Sequence, residues 1–207
     1  MNLAEQLFLL ACDPEKQRVP ERDKLGYVLR AAALSELVLR GCLTDVDDRP
    51  TAGSAKPTRD QLLDEVLAEI SRDKPRKWRY WVRKNHTSIV REVQAALARA
   101  GAISVRQRRI LGLFPSHVVT VHDPVARAMA VQRVRAAVTG TGALPPADAA
   151  LAALAATGEL KGLLTARERK ASKQRIQELL DGCGPAGPAL RKAIQDLKAA
   201  ATSGGGG

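Results

Sequence analysis

The chain has 207 residues, 45% of them hydrophobic, which suffices for one domain, or at most two small ones, with a real core. No apolar run approaches the roughly 18 residues that span a bilayer, and with aromatics at 3% the core must be mostly Ala, Leu and Val. The net charge of +11 is unevenly spread: residues 1–71 hold nine Lys/Arg against thirteen Asp/Glu, residues 72–109 twelve against two, and residues 110–207 twelve against seven. Positive charge that dense in 38 residues is the footprint of a polyanionic partner, nucleic acid or an anionic membrane surface, more than of a solvated face. Cys12, Cys42 and Cys183 are odd in number and far apart, so they suit neither a disulfide framework nor a zinc site and fit a reducing cytoplasm.

In chain order, Leu3, Leu7, Phe8, Leu10 and Ala11 recur at helical spacing. The segment carries Glu5 and has no basic n-region, so it reads as a helix of the mature protein rather than a signal peptide. A polar turn follows, then LGYVLRAAALSELVLRG, residues 25–41. It is apolar on nearly every side, as a central buried helix must be, with Gly41 as its stop and Glu36–Arg40 as a favourable i,i+4 pair. TDVDDRPTAGSAKPTRD reads as a long mobile connector. The next helix takes Thr58 as N-cap and turns Leu62, Leu63, Val66, Leu67 and Ile70 to one face.

The basic segment SRDKPRKWRYWVRKN holds both tryptophans. HTSIVREVQAALARAG reads as a helix capped by Thr87 or Ser88, with a stripe of Ile89, Val93, Ala96, Leu97 and Ala100 and a stop at Gly101. AISVRQRRILGLFPSHVVTVHDP reads as a β-hairpin bending near Phe114 to His117, where Pro115 suits a turn. From Pro124 the chain is helical again, in four segments parted by TGTGALPP and DGCGPAGP. The expected fold is mainly α, a single helical domain over residues 1–201 with one central β-hairpin, and residues 202–207 are expected to be disordered.

No catalytic set is visible. His86, His117 and His122 lack ligand spacing, TGTG opens no phosphate loop, and Asp47–Asp48 sit where carboxylates would be poorly held. Neither an enzyme nor a cofactor or metal site is expected. Arg30 lies in the most apolar helix, and a buried guanidinium needs a partner. It either pairs with an acid from another helix, snorkels outward, or waits in a pocket for an anion. Arg91 sits one turn into its helix, on a solvated face or beside a ligand. Trp78, Tyr80 and Trp81 either pack over the core edge or anchor at a lipid interface or stack on bases.

LAEQLFLLACDPEK, LGYVLRAAALSELVLRGCL, DQLLDEVLAEI, VREVQAALARAGAI and RRILGLFPSHVVTVHDP, in this order, resemble the Golgi phosphoprotein 3 family, including its bacterial members. The resemblance covers about residues 2–200, with ELVLRG and GLFP its most specific parts. It implies a mostly helical peripheral membrane protein, cytoplasmic and membrane-associated, that recognises a phosphatidylinositol 4-phosphate-like anionic headgroup through a basic pocket. It puts Arg30 and Arg91 in that pocket, and Arg83 and Lys84 are taken with them as headgroup-binding. A second pocket arginine would fall near Thr87 or Ser88, and a pocket tryptophan within VPERDKL; neither residue type stands there. The hairpin residues Ile110, Leu111, Leu113 and Phe114 would enter the membrane or bury against a second copy as a homo-oligomer contact.

The rival reading is a winged-helix-like DNA-binding protein, with residues 72–109 tracking phosphates. Nucleic acid is the less favoured partner. The helix before the hairpin offers few base-reading side chains beyond Arg91, Glu92 and Gln94, and a DNA wing has little use for Leu-Gly-Leu-Phe.

Overall fold

The computed structural model describes residues 1–13, 15–19, 21–53, 57–110 and 114–203, and of residues 107–110, 114–117 and 203 the backbone alone. Its elements are α1 (Leu3–Ala11), α2 (Arg22–Leu39), β1 (Leu43–Val46), β2 (Arg49–Ala52), α3 (Gln61–Arg72), α4 (Trp78–Arg83), α5 (His86–Arg99), β3 (Ile103–Ile110), β4 (Phe114–Val121), α6 (Pro124–Thr139), α7 (Pro146–Thr157), α8 (Ala166–Ala171), α9 (Lys173–Asp181) and α10 (Ala186–Ser203). The fold is mainly α, as the sequence indicates.

The centre is α2, in which every residue from Leu25 to Ser35 is buried. A helix apolar all round has to be wrapped, and α1, α3, α4, α5, α7 and α10 wrap it. Gly26 makes the closest approach: a Cβ there would stand 2.0 Å from the His86 carbonyl oxygen at the start of α5. Both α2 and α5 end in the same hydrogen-bonded motif. Gly41 N–H donates to Val38 O at 2.9 Å and Cys42 N–H to Leu37 O at 2.8 Å. Gly101 N–H donates to Ala98 O at 3.1 Å and Ala102 N–H to Leu97 O at 2.9 Å. Each glycine takes the positive φ, 70° and 68°, that this ending requires. Asn2 and Glu5 form a capping box at α1, and Glu36 accepts the Leu3 N–H at 2.6 Å, fixing α1 to α2.

Several local expectations are corrected. The supposed connector after α2 contains a second hairpin, β1–β2, so the described residues hold two. Its turn residues Asp47 and Asp48 both have positive φ, 53° and 60°, as a tight two-residue hairpin turn needs. Asp60, not Thr58, caps α3, accepting from Leu63 N–H at 3.2 Å; Thr58 Oγ1 instead donates to Asp64 Oδ1 at 2.8 Å. Neither Thr87 nor Ser88 caps α5, which starts from Asn85 at φ 54° without a side-chain cap; Ser88 Oγ donates back to Asn85 O. In the β3–β4 hairpin Ile110 pairs with Phe114 and Arg109 with Pro115. Residues 111–113 lie outside the described residues, and the bend is thus not at Phe114 to His117, which belong to β4. Proline is tolerated there because a two-stranded sheet is all edge. Of the four helical segments expected from Pro124 on, ARERKASKQRIQELLDG, residues 166–182, breaks at Ser172. Thr202 and Ser203 lie in α10 rather than in a tail.

Gly26→Ala is expected to lower unfolding stability by about 3 kcal/mol, the upper range for overpacking, because backbone rather than a flexible side chain blocks the new methyl. Urea denaturation checks this, and a loss within experimental error would show that α2 and α5 are free to separate.

Candidate membrane-facing site

Arg30 lies on the α2 face toward α3 and α4, 1% exposed. Its Nε donates to the Trp81 carbonyl oxygen at 3.1 Å and its Nη2 to Glu69 Oε2 at 3.0 Å. Asn85 Nδ2 donates to the other oxygen, Glu69 Oε1, at 3.0 Å. One carboxylate therefore joins α2 and α3 to the residue that opens α5. Burial lowers the Arg30 pKa, and the charge and hydrogen bond of Glu69, with Glu92 further off, pull it back. Of the alternatives open in the sequence, the pairing with an acid from another helix is what forms.

The surroundings are acidic. A groove of about 980 Å³ beside Glu69 is lined by Asp64, Glu65, Glu69 and Asp73 against Arg72 and Lys84. Partial burial raises the Glu92 pKa, and Glu65 and Glu69 raise it further against the Ser88 hydrogen bond. An anion approaching Arg30 through this groove has to displace the Glu69 carboxylate and pass like charges.

The other cations named from the sequence face different neighbours. Arg83 lies 3.8 Å from Asp196 of α10, beside the Arg79–Asp196 pair. Lys84 bonds Asp73 Oδ2 at 2.8 Å and lies 4.7 Å from the Trp81 ring centroid. Asp73 is held below the usual carboxylate range by that Lys84 bond first. Arg91 is exposed and, among the described residues, has no ion-pair partner; the same is true of Arg99 and Arg106. Arg30 and Lys84 thus meet at one acid-lined groove, Arg30 through Glu69 and Lys84 by lining it, while Arg83 turns to Asp196 and Arg91 has no acidic partner among the described residues.

The tryptophans are structural. Trp78 and Trp81 are each 1% exposed. Trp78 Nε1 donates to Asp45 Oδ1 at 2.6 Å, which docks β1–β2 on α4, and Trp81 Nε1 donates to Arg76 O at 3.2 Å. Of the readings open in the sequence, packing at the core is the one the structure shows. Glu69 is the important residue that sequence reading missed. Its signal was its place on α3, one residue before Ile70 and three after Val66, where an acid flanks a buried stripe.

The β3–β4 hairpin is held at its base. Ile103 and Val119 are buried, Val119 N–H donates to Gln17 O at 2.7 Å, and His122 N–H to Ala102 O at 3.0 Å. Arg106, Arg108 and Arg109 belong to β3. Leu111 and Leu113 lie outside the described residues, and Ile110 and Phe114 are placed by their backbone as the last pair before the bend.

A family model for Golgi phosphoprotein 3 (GPP34) matches residues 3–197. The chain belongs to the Golgi phosphoprotein 3 family. The match runs from the start of α1 into α10 and takes in both hairpins. No curated protein matches the chain. Among the described residues of this Golgi phosphoprotein 3 family member, no helix is long and apolar enough to cross a membrane.

Arg30→Met is expected to cost about 2–4 kcal/mol, since it strips the Trp81 carbonyl of its donor. A double-mutant cycle with Glu69→Gln should give a coupling of about 1–2 kcal/mol; additive effects would mean that the pair is not formed. Glu92→Gln should be more stable than the native chain at neutral pH. Because the folded pKa of Glu92 is raised, ionisation is costlier folded than unfolded. The native chain therefore regains that stability as pH falls through the raised value to below the ordinary glutamate range, and the two denaturation curves should converge there.

Proposed function

We propose that the protein binds peripherally, and without catalysis, to membranes carrying an anionic phospholipid of the phosphatidylinositol 4-phosphate type. The observation that carries this reading is the arginine-bearing strand β3, followed in the sequence by the apolar stretch Leu111-Gly112-Leu113-Phe114, in a chain of this family. Each basic residue near an anionic surface contributes roughly 1 kcal/mol. Each apolar side chain withdrawn from water adds roughly 1.5–3 kcal/mol. Neither term suffices alone, and together they make the two signals that stable peripheral anchoring requires. Arg91, Arg99 and Arg106 are exposed cations without an acidic partner among the described residues and so are available to headgroups. Arg30, with Arg83 and Lys84, would take part in headgroup recognition only once their acidic partners give way.

Vesicle co-sedimentation, with one lipid varied at a time, tests this. Binding should need anionic lipid and weaken with salt. Arg108→Ala with Arg109→Ala should lower affinity about thirtyfold, two cations' worth, and Leu113→Ser with Phe114→Ser should lose binding at physiological salt. Arg30→Met, first shown to be folded, decides the headgroup site. Losing the preference for phosphoinositide over phosphatidylserine places the headgroup at Arg30, and an unchanged preference removes it. Duplex-DNA binding at physiological salt without vesicle binding would favour the winged-helix alternative.

A further inference from the structure

A slot of about 290 Å³ lies between α1, α6 and the base of β3–β4. Its wall is hydrocarbon, from Leu9, Leu10, Ala102, Val121, Ala126 and Ala130. The carbonyls that could have made it polar are already bonded. Arg127 donates Nε to Leu9 O at 3.0 Å and Nη2 to Leu10 O at 3.1 Å. His122 Nδ1 lies 2.7 Å from Gly101 O, and its backbone N–H donates to Ala102 O at 3.0 Å.

The slot has a positively charged rim. Met1 lines it, and on α6, the helix that supplies Ala126 and Ala130 to the wall, lie Val125 and Met129, one turn apart. These are three of the six large hydrophobic side chains exposed among the described residues, at 73%, 68% and 64%. Arg127 and Arg133 line the slot with no carboxylate partner among the described residues. The one acid in the lining, Asp123, is engaged by the Ala126 N–H at 2.8 Å as the cap of α6.

We propose that this slot binds a single-chain fatty carboxylate, its hydrocarbon along Leu9, Leu10 and Val121 and its carboxylate at Arg133. The volume is at the lower end for small-molecule pockets, so it takes one short chain and not a two-chain lipid. A hairpin from a second copy is a poor occupant, because Arg106, Arg108 and Arg109 would meet Arg127 and Arg133. The site is independent of the membrane-docking reading: eight strand residues, roughly 25 Å, separate it from the bend.

The test is displacement of a fluorescent fatty acid from the full chain by decanoate below its micelle concentration, with decanol as the uncharged control. Decanoate should displace the probe from one saturable site. Ala130→Trp should abolish binding while leaving the thermal midpoint and vesicle binding unchanged. Arg133→Glu, at an exposed position, should weaken decanoate about tenfold or more and leave decanol unaffected. Absence of displacement overturns the proposal, as does decanol competing equally with no effect of Arg133→Glu. If decanoate fails and a designed acidic amphipathic peptide binds the native chain but not Ala130→Trp, the surface docks a protein and the fatty carboxylate is wrong. Dimerisation abolished by Ala130→Trp, without decanoate binding, would likewise give the slot to a second copy.

Discussion

The structure turns on a guanidinium inside an apolar helix. α2 is buried from Leu25 to Ser35, and Arg30 is the one side chain in that run that is charged at neutral pH. Leaving it unpaired would cost several kcal/mol. The chain therefore brings Glu69 from α3, and the Trp81 carbonyl from α4, to meet it. The same carboxylate holds Asn85, the residue from which α5 starts. Three short elements are thus located by one ion pair. The two tryptophans of α4, the largest side chains of the core, are in turn seated where Asp45 and the Arg76 carbonyl can satisfy their ring nitrogens.

Charge crowded in the sequence is not charge crowded on one surface. Residues 72–109 carry nearly the whole positive excess, yet several of their cations are neutralised by acids from elsewhere. Asp196 of α10 takes Arg79 and Arg83, and Asp48 in the β1–β2 turn takes Lys77 at 3.3 Å. Exposed pairs of this kind contribute little stability, but they subtract from the field a membrane would feel. Exposed and without an acidic partner among the described residues are Arg91, Arg99 and Arg106, the last of them in β3 with Arg108 and Arg109. The acid-lined groove beside Glu69 pushes the same way, since it turns anions from the α3 face. Docking through the hairpin and headgroup capture at Arg30 are therefore separate physical questions.

Where one residue type answers to one backbone demand, the sequence was readable. Gly41 and Gly101 end helices because only glycine enters the left-handed region cheaply, and the continuous apolar run of α2 announces burial from every side. The β1–β2 hairpin was hidden because its turn is Asp-Asp, which satisfies positive φ without the usual glycine and looks like a polar loop. The burial of Trp78 and Trp81 was hidden because α4 is six residues long and mostly basic, too short for a periodic stripe. The role of Arg30 was legible only as a choice between partner and pocket. Choosing required knowing which acid of α3 lies opposite, a tertiary fact. The slot under α6 left no trace, since alanines and a helix nearly uniform around its circumference look the same whether covered or open.

Hydrogen–deuterium exchange of the full chain, with and without vesicles containing anionic phospholipid, tests the central claim most directly: membrane contact belongs to the β3–β4 hairpin while Arg30 serves the fold. Slower exchange in residues 103–121 and the exposed face of α5, with α2 and the Glu69 turn of α3 unchanged, is the predicted result. Protection centred on α2, α3 and Lys84, with the hairpin unaffected, would contradict it.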